Sequence, residues 1–312
     1  MPGSGANMIV DAHMHVWNKI HGKIGNEIPV SPLSNGMIRI GEQDLLGMPP
    51  YLLDCAARAE YAISEFNAAG VDVGIVVQEF LDGEQNDYLC GVLAKYPGRF
   101  LIHGLPDFWN LDQIAQEASV LLSSNFCGLK LPAEHLQNKI RLDNSRLMPV
   151  WERMEETRHV LAIDLSEGAD QVVELENILQ RCPRLHVAVG HFGMVNRRGW
   201  PAQLQLARFQ NVYLDMGGLV WLFRSEGCPF PGALQAIQTA KSEVGIEKLM
   251  WGSDWPRTMI DFTYRQSLDF VRYSDCLSDH DKALILGQNA CRLYRLPEIT
   301  SVLKPVRAIT ED

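Results

Sequence analysis

Two histidines one residue apart, His13 and His15 in "VDAHMHVW", are the first residues of this 312-residue chain whose types and spacing could do chemistry. In an extended strand alternate side chains share a face, so both imidazoles stand on one side with Asp11, placed to chelate one metal ion or to hydrogen-bond within a core. Further ionisable side chains recur where later apolar runs end: Glu79 after "VGIVVQ", Asp107, Lys130 in "GLKLP", Asp164 in "VLAID", His191 in "VGHFG", Asp215 in "VYLD" and Asp254 in "WGSDWP". An aspartate can take a proton from water, alone or beside a metal that acidifies it, and a neighbouring histidine can polarise a carbonyl. These types together suit proton transfer or metal binding. Asp107 and Asp215 read instead as caps for the segments that follow them.

Residues so far apart in sequence meet only on a scaffold that gathers strand ends. Eight apolar runs recur: "MIVDAHMHV", "VGIVVQE", "FLIHGLPD", "GLKLP", "VLAIDLS", "LHVAVGH", "VYLDMG" and "LMWGSDWP". Amphipathic stretches over 53–69, 111–123, 147–158, 169–181 and 231–244 alternate with them. Near-continuous apolar strands predict a parallel sheet buried on both faces, and eight such units in about 250 residues predict an α/β fold, a single closed (β/α)8 barrel of the TIM type. Ionisable residues at strand ends then converge at one mouth. No strand leads into Gly-x-Gly-x-x-Gly or a P-loop, which argues against an open nucleotide-binding sheet. The barrel is expected over 8–300, with 1–7 and 305–312 as flexible tails. The Gly-, Pro- and Asn-rich stretch 18–50 reads as a long irregular first βα loop, a lid over the mouth.

Composition narrows the partners. A formal net charge of −10, from 28 basic against 38 acidic residues, with no Lys/Arg-rich stretch, argues against nucleic acid. No apolar run reaches the roughly 20 residues of a membrane span. Seven cysteines without a Cys-x-x-Cys pair, and a start lacking a secretory pattern, point to reduced thiols and a cytoplasmic protein. A homo-oligomer is compatible with all of this.

Through "DAHMHVW", "AAGVDVGIVVQE", "YPGRF", "GLKL", "VGHFG", "WGSDWP" and "ILGQNACRLYRL", in that order over about residues 8–296, the chain resembles the amidohydrolase superfamily. The likeness is to its amidohydrolase-related (amidohydrolase 2) barrels, which include sugar lactonases, 2-pyrone-4,6-dicarboxylate hydrolase and aminocarboxymuconate semialdehyde decarboxylase. The resemblance implies Asp254 and His191 as catalytic residues. It also implies His13, His15 and Asp254, with Asp164, as ligands for one divalent ion, zinc or manganese. Metal-dependent members carry a histidine where "VLAIDLSEG" has Asp164, so a His2Asp2 site and a metal-free site both stay open. Lys130 occupies the position of the bridging carboxylated lysine of binuclear relatives. Here it is expected as a cationic substrate contact, or as a buried lysine paired with Glu79 or Asp164.

Arg197, Arg198, Arg224 and Arg257 follow the late strands and, in a barrel, belong to loops on the catalytic side. Guanidinium forks suit carboxylates, so a small anionic substrate is expected. Trp17, Trp221 and Trp255 could wall it or pack in the core, and Gln78, Glu79 and Asn86 could hydrogen-bond to it. The expected activity is a lactonase-like hydrolase opening a lactone, or similar ester-like bond, of a carboxylated small molecule by an activated water. The alternative is a metal-dependent non-oxidative decarboxylase of an unsaturated or aromatic acid.

Overall fold

Every one of the eight apolar runs contributes a barrel strand to the computed structural model, which describes residues 8–296. The strands in chain order are β1 (Val10–Met14), β2 (Lys23–Ile24), β3 (Ile28–Pro32), β4 (Met37–Ile40), β5 (Gln43–Leu46), β6 (Val73–Val76), β7 (Phe100–Gly104), β8 (Gly128–Pro132), β9 (Val160–Asp164), β10 (His186–Val189), β11 (Val212–Asp215) and β12 (Leu249–Met250). The order β1-β6-β7-β8-β9-β10-β11-β12, with every ladder parallel, is that of a (β/α)8 barrel. All residues of β1, β6, β8 and β9 are buried, the reason these runs are apolar without alternation. Helices appear within a few residues of the expected spans, and Pro231–Val244 matches throughout. The first helix starts only at Ala59, because Cys55 adopts a left-handed φ of 57° that no helix continues.

A side-chain clasp closes the barrel seam. Ala12 N donates to Trp251 O (2.9 Å), His15 N to Trp255 O (2.7 Å) and Asp254 N to His13 O (2.8 Å). Beneath them the buried Asp11 carboxylate accepts from Ser253 N (2.8 Å), Ser253 Oγ (2.5 Å) and Tyr264 OH (2.8 Å), and burial pushes its carboxyl up to about 6 against those bonds.

The end of the barrel away from the strands' carboxyl termini is apolar. Met8, Val10, Val73, Val160 and Met250 pack there against Leu293 and Tyr294 of the helix Asn289–Tyr294. His103 lies beside Tyr294, whose OH is 3.4 Å from Nε2.

The stretch 18–50 departs from expectation. Much of it is not irregular but an antiparallel meander, β2-β3-β4-β5, with Val30 opposite Ile40 and Ile38 opposite Leu45. Its turns use residues with positive φ, among them Asn35 (53°) and Gly36 (76°), an Asn-Gly pair of the kind that forms hairpins. Val30 and Ile38 are buried. Polar ties fasten the meander to loops beyond β8 and β12: Gly25 N donates to His135 Nδ1 (3.3 Å), and Arg257 Nη1 to Gly47 O (3.0 Å). The residues expected as flexible tails, 1–7 and 305–312, lie outside the described residues.

Candidate active site

Three imidazoles meet at the carboxyl ends of β1 and β10, and each is anchored through the same ring atom. Nδ1 of His15 is 3.1 Å from Val77 O, Nδ1 of His191 is 3.1 Å from Gly217 O, and Nδ1 of His13 is 2.9 Å from Asp215 Oδ1. A carbonyl oxygen only accepts, so Nδ1 of His15 and of His191 carries a proton, and their Nε2 atoms meet carboxylates instead, Asp254 Oδ1 at 2.9 Å for His15 and Asp164 Oδ2 at 3.5 Å for His191. The His13 and His191 ring centres are 4.6 Å apart, and those of His13 and His15 5.2 Å. Asp254 completes the cluster with Oδ1 2.9 Å from His15 Nε2. His191 and Asp254 both hold positive φ, 51° and 57°, a costly backbone for side-chain-bearing residues that the surrounding packing must enforce.

Glycines make room for His13. A Cβ at Gly217 would come within 2.6 Å of His13 Cγ, and one at Gly252 within 2.7 Å of its Cβ. "VYLDMGG" and "WGSDWP" therefore need glycine where the strand ends close on the ring.

Charge in this mouth is nearly all paired. Burial disfavours the imidazolium of His191, but the Asp164 carboxylate, with Oδ2 3.5 Å from Nε2, and Asp254 outweigh it and raise the ring to about 10. Burial opposes ionisation of Asp254 as well; the His15 hydrogen bond and the His191 charge prevail and hold it well below the usual carboxylate range. Asp164 is likewise held low, against burial, by Lys130 and His191. Lys130 Nζ bonds to Asp164 and lies 3.3 Å from Glu79 Oε1. Burial first, then Asp164, lifts Glu79 to about 8.

The donors fit a divalent ion. Two sets, His13–His15–Asp254 and His13–Asp164–His191, each bring their ligand atoms within 4.8 Å of one another and share His13. Both ring nitrogens of His13 are buried without an aligned hydrogen bond among the described residues, although Nδ1 lies 2.9 Å from Asp215 Oδ1. Imidazole nitrogen with carboxylate oxygen suits zinc or manganese. A third grouping, Glu79, Glu134 and His135, does not offer the same chemistry. His135 accepts at Nδ1 from Gly25 N, which leaves the proton on Nε2, 3.3 Å from Glu134 Oε1.

The family model described as Amidohydrolase matches residues 10–296. This chain belongs to the amidohydrolase family. Among curated relatives it is similar to an L-fucono-1,5-lactonase of Burkholderia ambifaria, 25% identical over 301 residues, spanning 92% of this chain and 95% of that one. Its fold is similar to that of a probable 2-pyrone-4,6-dicarboxylic acid hydrolase of Acinetobacter baumannii solved with citric acid bound (TM-score 0.68, 20% identity, 92% of this chain and 99% of that one). It is equally similar to an amidohydrolase of Burkholderia multivorans solved with zinc bound (TM-score 0.68, 18% identity, 93% and 100%).

In this amidohydrolase the other sequence-picked residues take varied places. Lys130 is the buried, doubly paired lysine of the second expectation, with no free ammonium for a substrate. Gln78 donates to Asn86 Oδ1 (2.9 Å) and His103 O (2.8 Å) and accepts from Gln85 N (2.8 Å), while Asn86 exchanges bonds with Leu105 N and O. Both amides are thus spent inside the wall. Trp17 is buried with its indole N–H on Cys55 O (2.8 Å), and Arg257 lies 5.1 Å above its ring, paired with Asp82. Trp255 is core; Trp221 is exposed beneath Arg224. Arg197, Arg198 and Arg224 are exposed. Asp107 follows the capping expectation, accepting from Trp109 N (3.0 Å). Asp215 does the same for Gly217 N (3.1 Å) and in addition faces His13. Sequence reasoning missed that role, and missed Asp82 as the partner of Arg257, because both pairings join loops far apart in the chain. Among the described residues no helix is long and apolar enough to cross a membrane.

Proposed function

We propose that this amidohydrolase opens a small-molecule lactone with water. The observation that carries the reading is Asp254, held well below the usual carboxylate range, 2.9 Å from His15 Nε2 and grouped with His13, whose ring lies 4.6 Å from that of His191. Near full-length similarity to an L-fucono-1,5-lactonase supports it. Water gives its proton to Asp254 and its oxygen bonds to the lactone carbonyl carbon. The ring C–O bond then breaks, and the ring oxygen leaves as a hydroxyl after taking a proton. The product is a hydroxy acid that releases one proton on ionising. His191, held cationic, stands where negative charge gathers on the carbonyl oxygen. A divalent ion held by His13, His15 and Asp254, with Asp164 and His191 on the far side, would supply a Lewis acid for carbonyl and water.

The charge balance favours a neutral, hydroxyl-bearing lactone over one with additional carboxylates. Of the sequence-picked cations, Lys130 and Arg257 are already paired with carboxylates and the others are exposed. Asp164 and Asp254 offer acceptors to hydroxyls and repel anions. The decarboxylase alternative is less well supported, since its substrate brings a carboxylate into the same surroundings.

The test is proton release, above the spontaneous rate, on sugar 1,5-lactones, a pyrone dicarboxylate and unsaturated acids, with carbon dioxide followed in parallel. Turnover of a neutral lactone without carbon dioxide is expected. Activity confined to carbon dioxide release would overturn the lactonase reading, and activity confined to the dicarboxylate would overturn the neutral-substrate one.

A further inference from the structure

We propose that Asp215 is a positioning residue that locks His13 in a single ring tautomer and so makes it the fixed donor of the site. The inference rests on the reading of this cluster as a metal-capable centre. His13 is the member shared by both three-residue donor sets, yet it is anchored unlike its neighbours. The rings of His15 and His191 lean on the backbone carbonyls of Val77 and Gly217; that of His13 leans on a side chain, Asp215 Oδ1, 2.9 Å from Nδ1.

Asp215 is held rigidly for that task. It ends β11, is 1% exposed, and its Oδ1 also takes the N–H of Gly217 (3.1 Å). The carbonyl of that same glycine anchors His191, so one carboxylate steadies two of the three rings. A neutral imidazole has one proton to place. The carboxylate 2.9 Å from Nδ1 draws it there and leaves the lone pair on Nε2. Without Asp215 the proton is free to move to Nε2, where it blocks donation to a metal. Carboxylates that orient ligating histidines typically change metal affinity or activity by about 10- to 100-fold.

The test uses the full chain, purified metal-free and labelled with 15N in histidine. His13 signals are assigned by their loss in His13→Gln, and zinc affinity is measured by competition with a chelator. The wild type is expected to show one Nδ1–H tautomer at His13. Asp215→Ala is expected to show a mixed or Nε2–H ring and to bind zinc roughly 10- to 100-fold more weakly. Asp215→Asn offers a neutral oxygen in the same place, so it is expected to keep the fold and much of the tautomer while losing about 10-fold in affinity. That variant decides the matter if the alanine protein does not fold. A wild-type tautomer with wild-type zinc affinity in whichever variants fold, whatever happens to their melting temperature, would reduce Asp215 to strand-end packing and overturn the proposal. Wild-type protein that binds no zinc would remove the metal reading alone, because the tautomer of His13 still reports on Asp215.

Discussion

His191 at the mouth of the barrel and His103 near its sealed end are the same side chain in the same fold, with opposite protonation. His103 is fully buried among Val76 O, Cys127 and Tyr294, with no carboxylate against its ring among the described residues, and burial drives it down to about 3. His191 also loses water, yet the carboxylates of Asp164 and Asp254 lift it to about 10. Enclosure therefore does not decide charge here; the carboxyl-end loops do, by bringing acidic groups to one end of the barrel and leaving the other apolar.

Four experiments break or sharpen that contrast, the largest effect first. Asp254→Asn keeps the shape of the mouth and removes its proton acceptor. Turnover is expected to fall on the order of 100-fold or more, about 3 kcal/mol of barrier, with little change in thermal unfolding. Near wild-type turnover would take Asp254 out of the reaction. Gly217→Ala puts a methyl 2.6 Å from His13 Cγ and displaces the ring, so turnover is expected to drop roughly 10-fold or more while the sealed end stays intact.

The third concerns the other end. His103 is about 3 folded and near 6.5 unfolded, so between these values the unfolded chain binds the extra proton. Its contribution is complete above pH 6.5 and is lost as pH falls toward 3, at about 1.4 kcal/mol per unit. Denaturant unfolding of wild type and His103→Gln at pH 7.5, 6 and 5 is expected to show a shallower acid loss in the variant; parallel curves would mean that His103 is not held neutral. Last, Arg198→Ala is expected to change kcat/KM for a neutral lactone by less than about 2-fold, as for an ordinary surface residue. A large rise in KM would bring the arginines back to the substrate.

Much of this architecture was legible from periodicity alone. Runs such as "GLKLP" and "VLAID" are buried on both faces, and their ends locate the barrel mouth to within a residue or two. His13, His15, His191 and Asp254 are brought together because they sit at those ends. The meander was not read, although Asn35-Gly36 and Gly41 are hairpin signals, because its strands are short and half exposed and alternate weakly. The pairing of Lys130 with Glu79 and Asp164 was visible only as an alternative, and the face-to-face placement of Asp215 and His13 not at all. Which carboxylate meets which cation across a mouth depends on rotamers and loop paths, and these leave no periodic trace. The arginines stay unplaced by sequence for the same reason: a loop position on the catalytic side does not specify which way a flexible side chain turns.

The clasp between Asp11 and the Ser253 and Tyr264 hydroxyls has a consequence in time. It joins positions 242 and 253 residues apart, and the neighbouring bond from His15 to Asp254 spans 239. At about 5–20 residues per second, a ribosome that has delivered the two histidines works for on the order of tens of seconds before it delivers their aspartate. Throughout that interval the growing chain carries half of a reactive centre and no means of using it. Competence arrives with the eighth barrel strand, in the same event that shuts the sheet upon itself, so that no shorter nascent form can act on a lactone before the barrel is whole.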